Sequence, residues 1–392
     1  MAYFKYSILF ERTFFSEKDL SFTWRIALPL GISFYTFQQI AFLSDIYRSK
    51  IKEIDVKTYA IFKLFFPQFV AGPIVHYNRV AASYKRWPTF NARSVKFGLI
   101  ILSIGLCKKL FGDHFAVMAN AAFDNPSDLT MVEAWIGMLS FSFQIYFDFA
   151  GYSDMAVGLA RMFGVSLPFN FNSPYKSASV SEFWRRWHIT LSSWLRDYLY
   201  IALGGNRKGR VRTSVNLFLT MAIGGLWHGA SWTFLGWGAL HGGALVLMRK
   251  VRAPTIPRWI KVGGVFTFVT FVWVLFRAQS FDGAVAFYAA LFNVNAVGMG
   301  EELARALLSV VPFTNYENVG QTRPLGEIAS LLLAMVICFS MPNSQQISLW
   351  LVARRVDVAR LAELPVLVAI TVLLSLAFIS PDTRNAFIYF EF

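Results

Sequence analysis

Two histidines sit in sequence surroundings that point to chemistry. One closes the run Ser181-Glu182-Phe183-Trp184-Arg185-Arg186-Trp187-His188, and the other lies in Gly224-Gly225-Leu226-Trp227-His228-Gly229, about one hydrophobic span later. Ionisable groups beside lipid-soluble sequence are expensive to keep and usually have a task. A neutral imidazole in such a place can act as a general base toward a hydroxyl, a contribution of about 10²–10⁴-fold in rate. An isolated histidine is more often a core residue hydrogen-bonded between helices, so the type of residue alone does not decide between these readings.

The elements that must hold these histidines are membrane helices. The 392 residues are 56% hydrophobic, 17% aromatic and only 15% charged, and mean hydropathy is +0.47. A soluble domain carries roughly 25% charged residues, so the composition reads as an integral membrane protein. Every backbone polar group inside lipid needs a partner, and ten-residue segments of alternating polarity are not evident, so the expected fold is all-α. Forty Phe and twelve Trp suit both a bundle core and the interfacial aromatic belts. Spans long enough to cross or enter a bilayer run at about 25–44, 58–75, 95–120, 131–150, 213–231, 232–249, 261–280, 326–343 and 362–380. The segments 58–75, with Pro67-Gln68 and Ala71-Gly72-Pro73, and 184–205, with Arg185, Arg186, Arg196 and Asp197, are too short or too polar for clean spans. They read as re-entrant or interfacial helices lining a cavity. Only 281–325 is a long connection of mixed polarity, and no repeat or linker divides the chain, so residues 1–392 form one domain.

A net charge of +14 raises the question of nucleic acid. The bases are scattered among apolar spans rather than gathered on one soluble face, so positive-inside topology accounts for them better. Arg207-Lys208-Arg210-Arg212, Arg249-Lys250-Arg252-Arg258-Lys261 and Arg354-Arg355-Arg360 are expected to face the cytoplasm. Spans 213–231 and 232–249 then form a hairpin, 261–280 and 326–343 another, and the C-terminus lies outside. Cys107 and Cys338 both fall in apolar runs and read as buried thiols, with no disulfide framework or cysteine metal site. Lys5, Glu11, Arg12 and Lys18 interrupt the first residues too early for a cleavable signal peptide. No His/Asp/Glu spacing makes a metal site, and His76, His114 and His241 read as structural or interfacial.

The chain resembles the membrane-bound O-acyltransferases of the bacterial alginate O-acetylation type. The words that carry the resemblance are Leu28 to Gln38, Asp45-Ile46-Tyr47-Arg48, Ala71-Gly72-Pro73, Tyr146 to Ala156, Glu182 to His188, Trp194 to Tyr200, Gly204 to Gly209, Gly224 to Gly229, and the terminal Phe387-Ile388-Tyr389-Phe390-Glu391-Phe392. The resemblance implies a polytopic helical bundle of that type in the bacterial inner membrane, with a central cavity. Relatives usually carry further hydrophobic helices ahead of the Tyr3-Phe4-Lys5-Tyr6 region, and these are expected to be missing here. It also implies transfer of acetyl groups from a cytoplasmic donor, acetyl-CoA, to an extracytoplasmic polysaccharide such as alginate, with a hydrolase-fold transferase as partner outside the membrane and no cofactor.

The same resemblance makes His228 the catalytic base toward an acceptor hydroxyl attacking a thioester. His188 becomes the second recurrent histidine, orienting donor or acceptor. Arg185, Arg186, Arg207 and Lys208 are candidates for the phosphates of CoA, because guanidinium binds phosphate bidentately; anchoring to lipid headgroups is the alternative for Arg207 and Lys208. Trp184, Trp187, Trp227, Asp148 and Asp154 are expected to line the cavity; the aspartates, on either side of Gly151-Tyr152-Ser153, either shape it and relay protons or belong to a buried hydrogen-bonded turn. Tyr389 is either an acyl relay or an aromatic anchor. Two other classes stay open: a transporter, since broken helices and buried charges also line substrate paths, and a catalytically silent scaffold of a polysaccharide export machine. Only the enzyme consumes acetyl-CoA in a His228-dependent way.

Overall fold

The computed structural model describes residues 6, 31–69, 72–85, 91–250, 256–293 and 324–353. Every regular element among them is helical. In chain order they are α1 (Ile32–Tyr47), α2 (Val56–Leu64), α3 (Phe66–Phe69), α4 (Tyr77–Lys85), α5 (Ala92–Asp124), α6 (Met131–Met162), a 3₁₀ turn (Pro174–Lys176), α7 (Val180–Arg186), α8 (Ile189–Trp194), a π-helical turn (Leu195–Tyr200), α9 (Gly209–His228), α10 (Trp232–Lys250), α11 (Arg258–Arg277), α12 (Phe281–Ala290), α13 (Pro324–Ser340) and α14 (Ser344–Ala353).

The backbone of the architecture is the antiparallel pair α5 and α6, of 33 and 32 residues, each about 50 Å long at 1.5 Å per residue. Asn91 caps the start of α5, its side chain accepting from the Arg93 amide. Thr130 and Glu133 form a reciprocal capping box at the start of α6. Glycines recur every seven residues along the seam, at 98, 105 and 112 on α5 and at 151 and 158 on α6, which keeps them on one helix face. A Cβ on Gly105 would lie 2.8 Å from the Gly151 carbonyl oxygen, and one on Gly112 would lie 2.8 Å from the Asp148 amide. The two backbones therefore touch, the close approach that small residues permit in membrane helices.

That approach brings α5 lysines onto α6 aspartates. Lys108 Nζ lies 2.6 Å from Asp154 and Lys109 Nζ 2.8 Å from Asp148. Ser344 at the start of α14 donates to Asp154 at 2.5 Å and accepts from Lys108 at 2.5 Å. Asp148 and Asp154 thus stand inside an unbroken helix rather than around a turn, because their charge is neutralised across the seam and no break is needed to hydrate it. For the same reason α6 runs on past residue 150 to Met162.

Several expected elements are present. Gly209–His228 and Trp232–Lys250 form the hairpin, closed by the three residues Gly229-Ala230-Ser231. The backbones cross closely here too, since a Cβ on Gly225 would overlap the Phe234 carbonyl. Segments 58–75 and 184–205 are broken, the first at Phe65 and the second at Trp187 and His188. By length and composition Arg258–Arg277 is long and apolar enough to cross a membrane by itself, with a mean hydropathy of 1.8. Gly326–Ser340 and Ser344–Leu351 pass the same test only as a pair, bent by 66° at the break between them. The 281–325 connection opens with a helix, Phe281–Ala290. Cys338 is buried, whereas Cys107 is exposed on α5, since the glycine seam at 105 and 112 turns position 107 outward. The expected span at 362–380, the basic cluster 354–360, residues 3–5 and Tyr389 lie outside the described residues.

Candidate active site

His188 and His228 meet at one indole. His228 is the last residue of α9 and is buried, 6% exposed. Its ring centroid lies 4.8 Å from that of Trp227, 5.3 Å from Trp237 on α10 and 5.2 Å from Phe276 on α11. His188 is fully buried at 0%, with Phe149 of α6 edge-on at 4.7 Å and Trp227 at 6.4 Å. Trp227 is in turn stacked on Phe37 of α1 at 4.9 Å. Phe37 stacks on Trp194 at 3.7 Å while its carbonyl accepts the Trp194 indole N–H at 2.9 Å. Aromatic pairs with centroids about 4.5–7 Å apart add about 0.5–1.5 kcal/mol each beyond area burial. The stack therefore fixes Trp227, and with it the spacing of the two imidazoles. Tyr6 donates to the Leu226 carbonyl at 2.6 Å, which places that residue at the same end of α9.

His188 has positive φ (φ 40, ψ 54) at the N-cap of α8. A non-glycine residue in this region carries strain of about 1–3 kcal/mol and persists only where its surroundings over-determine it. Here the surroundings are Asn170, buried at 1%. Its carbonyl accepts the Ile189 N–H at 2.9 Å, and its side-chain oxygen lies 3.1 Å from His188 Nδ1 and accepts the Thr190 amide at 3.2 Å. Asn170 had no signal in the sequence beyond its place in a polar loop. A second residue missed as a site candidate is His241, buried at 0%, whose Nδ1 accepts the Trp184 indole N–H at 3.3 Å and whose ring sits 4.9 Å from Trp237. The glycines at 242 and 243, like those around His228, were the available hint.

A sequence model of the family described as "MBOAT, membrane-bound O-acyltransferase family" matches residues 12–284, a stretch that contains every residue of this constellation but Tyr6. The chain belongs to the membrane-bound O-acyltransferase family. It is similar to a peptidoglycan O-acetyltransferase of Helicobacter pylori, 36% identical over 433 residues that take in 100% of this chain and 80% of that protein. It is similar also to a probable alginate O-acetylase of Azotobacter vinelandii, 42% identical over 317 residues, 80% of this chain and 60% of that protein. A teichoic acid D-alanyltransferase of Streptococcus thermophilus is 29% identical over 284 residues, 65% of this chain and 68% of that protein. The chain thus spans about three-fifths of the length of the alginate relative. These relatives are named as acyltransferases, and they differ in acceptor and in acyl group.

Within this O-acyltransferase chain the other candidate residues fall into two sets. Trp184, Trp187 and Trp227 are packed in the aromatic core, at 9%, 1% and 5% exposure, and line neither of the two cavities described. The larger, about 420 Å³, lies between the start of α5 and the end of α6, with Arg93, Arg161 and Ser166 on its wall. The smaller, about 220 Å³, lies between α7 and the hairpin, with Ser179, Ser181 and Arg249 on its wall. Arg207 and Lys208 are exposed just before α9, and Arg185 is exposed on α7 with a bond of 3.0 Å to Ser181. Arg186 is engaged, 2.9 Å from Glu182 and 3.1 Å from the Asn172 carbonyl. Of the three remaining histidines, His76 pairs with the Tyr198 hydroxyl at 2.9 Å, and His114 stacks edge-on to Phe115 at 5.4 Å.

Glu182 ties this end of the molecule together. It accepts the Ala178 N–H at 2.8 Å and lies 3.4 Å from Arg258 at the start of α11. Partial burial works to raise its carboxyl, but the Ala178 amide and the Arg186 and Arg258 guanidiniums outweigh that and hold it below the usual range. A carboxyl lowered by folding contributes stability that is complete above its unfolded value and is lost as pH falls through the folded one. Glu182→Gln should therefore cost about 1 kcal/mol at neutral pH, the upper end for an exposed pair. The difference should vanish in acid. Thermal unfolding of the two proteins in detergent across pH checks this; a gap that persists at low pH would rule the charge out as its source.

Proposed function

We propose that the chain is an O-acetyltransferase of the bacterial inner membrane. It moves acetyl groups from acetyl-CoA on the cytoplasmic side to an extracytoplasmic glycan, alginate or a similar exopolysaccharide, and hands them on through a hydrolase-fold transferase outside. The observation that carries the reading is the meeting of His188 and His228 at Trp227, inside the segment that the family shares. In this reading the helices form a polytopic bundle, with the broken segments α2–α3 and α7–α8 entering the membrane without crossing it.

The chemistry follows from the surroundings of His228. An acceptor hydroxyl hydrogen-bonded to the imidazole loses its proton to it as the oxygen attacks the thioester carbonyl. The C–O bond forms, the C–S bond breaks, and the imidazolium returns the proton to the departing thiolate. Trp227, Trp237 and Phe276 exclude water from the ring, which protects the acyl group from hydrolysis. Arg185, Arg207 and Lys208 offer exposed charge for the donor's phosphates. Support comes from relatives with acetyl transfer in their names and from the burial of both imidazoles among aromatic rings.

Radiolabelled acetyl-CoA presented to reconstituted vesicles tests the reading: label should leave the donor and reach an acceptor or the protein itself. No consumption of donor would return the scaffold and transporter readings. In the same assay Tyr389→Phe separates relay from anchor. As a relay, the phenol carries the acetyl group to the partner, so polysaccharide acetylation is lost at normal protein levels. Full retention would make Tyr389 an interfacial anchor.

A further inference from the structure

Neutral imidazole carries one proton on either of two nitrogens, and which one decides what it can do. At His188 the surrounding donors settle it. The side-chain oxygen of Asn170 faces the Thr190 backbone N–H at 3.2 Å, a group that can only donate. The amide nitrogen faces Ser153 Oγ at 3.3 Å, so the orientation of the amide is fixed by its partners. The Thr190 hydroxyl accepts the Ile74 N–H at 3.0 Å and therefore spends its own hydrogen on Asn170, at 2.9 Å. An oxygen already serving as acceptor stands 3.1 Å from His188 Nδ1. The hydrogen between them must be on Nδ1, which in the neutral ring leaves the lone pair on Nε2.

We propose that Asn170 is the positioning residue that locks His188 in its Nδ1–H tautomer, so that Nε2 meets the substrate as a hydrogen-bond acceptor. The backbone is held by the same residue: the Asn170 carbonyl takes the Ile189 N–H at 2.9 Å, immediately after the positive-φ His188. Ser153 ties Asn170 to α6, and Ile74 ties Thr190 to the segment before α4. Main chain and imidazole are thus fixed together by one residue, the backbone carbonyl holding Ile189 and the side-chain oxygen holding Thr190 and His188, and it touches no reacting atom. Resting on the acetyl-transfer reading, this narrows the role of His188. Neutral and with Nε2 bare of hydrogen, it receives a hydrogen bond from the acceptor hydroxyl and orients it for attack. It is not the donor that would stabilise a thioester oxyanion.

The test is ring ¹⁵N and ¹³C magic-angle-spinning NMR of histidine-labelled protein in bilayers, with His188 assigned by its loss in His188→Gln. The unmutated protein should show Nδ1–H at His188. Asn170→Leu should show both tautomers and lose about 10²-fold in acetyl transfer, the scale of a misplaced catalytic group. Asn170→Asp, which keeps an acceptor oxygen, should restore the single Nδ1–H signal and transfer to within about 10-fold of the original. A purely structural role would not move the tautomer signal. An Nε2–H His188 in the unmutated protein overturns the proposal, as does Asn170→Leu with one Nδ1–H signal and full transfer. Should Asn170→Leu fail to fold, the unmutated and Asn170→Asp spectra decide. If the unmutated protein transfers no acetyl group, the functional reading fails and the spectra still judge the lock.

Discussion

Replacing His228 by alanine is expected to remove acetyl transfer, lowering it about 10²–10⁴-fold, while the protein remains folded. The size of the effect follows from position. His228 is the histidine that ends a long helix, α9, with its ring boxed by Trp227, Trp237 and Phe276, where those aromatic neighbours offer no group to substitute as base. Alanine also opens a small apolar void, so His228→Gln, which refills most of the space, is the companion variant. Both should lose transfer alike if proton transfer is at stake. The measurement is release of CoA from acetyl-CoA by vesicles carrying matched amounts of monodisperse protein. A His228→Gln protein with wild-type turnover would sink the assignment. His241→Gln is the contrast: fully buried and bonded to Trp184, it should lose stability before it loses chemistry.

The second large effect belongs to the glycine seam. A Cβ on Gly151 would lie 2.7 Å from the Gly105 carbonyl oxygen and 2.8 Å from the Lys109 amide, backbone atoms on both counts. Gly151→Val therefore cannot be absorbed by a rotamer change, and α5 and α6 must part. Parting them also pulls on the buried pairs Lys108–Asp154 and Lys109–Asp148 on either side. Overpacking costs about 1–3 kcal/mol and a broken buried ion pair about 3–5 kcal/mol. The sum is comparable to the stability of a whole domain. The expected result is loss of folded protein, read as collapse of the thermal midpoint and aggregation on size exclusion. Gly243→Val in α10 is the control, because a Cβ there meets nothing within 4 Å. Equal behaviour of the two variants would refute the seam.

Much of the architecture was legible before any coordinate. Composition and the absence of alternating strands predicted an all-helical chain. Basic clusters flanking residues 213–249 predicted a hairpin, and Pro67 and the arginines of 184–197 predicted broken segments; all three features hold among the described residues. The two histidine motifs were visible because each sets a histidine directly after tryptophan, one beside paired arginines and the other between glycines in an apolar stretch. The heptad glycines carry no such signal, since glycine is nearly neutral in hydropathy and its meaning lies in what packs against it.

The sequence by itself determined helix content, the approximate places of the helices, the family and the two histidines, all of which are properties of short windows read one at a time. Tertiary structure alone decided what meets what. It placed His188 and His228 on one indole, turned a supposed turn at Asp148 and Asp154 into charge pairs with lysines, one of them 46 positions away, and set Asn170 against His188 across 18 positions. The physical reason is that periodicity reports which face of a helix avoids water, whereas a hydrogen bond or a salt bridge depends on which other face arrives opposite it.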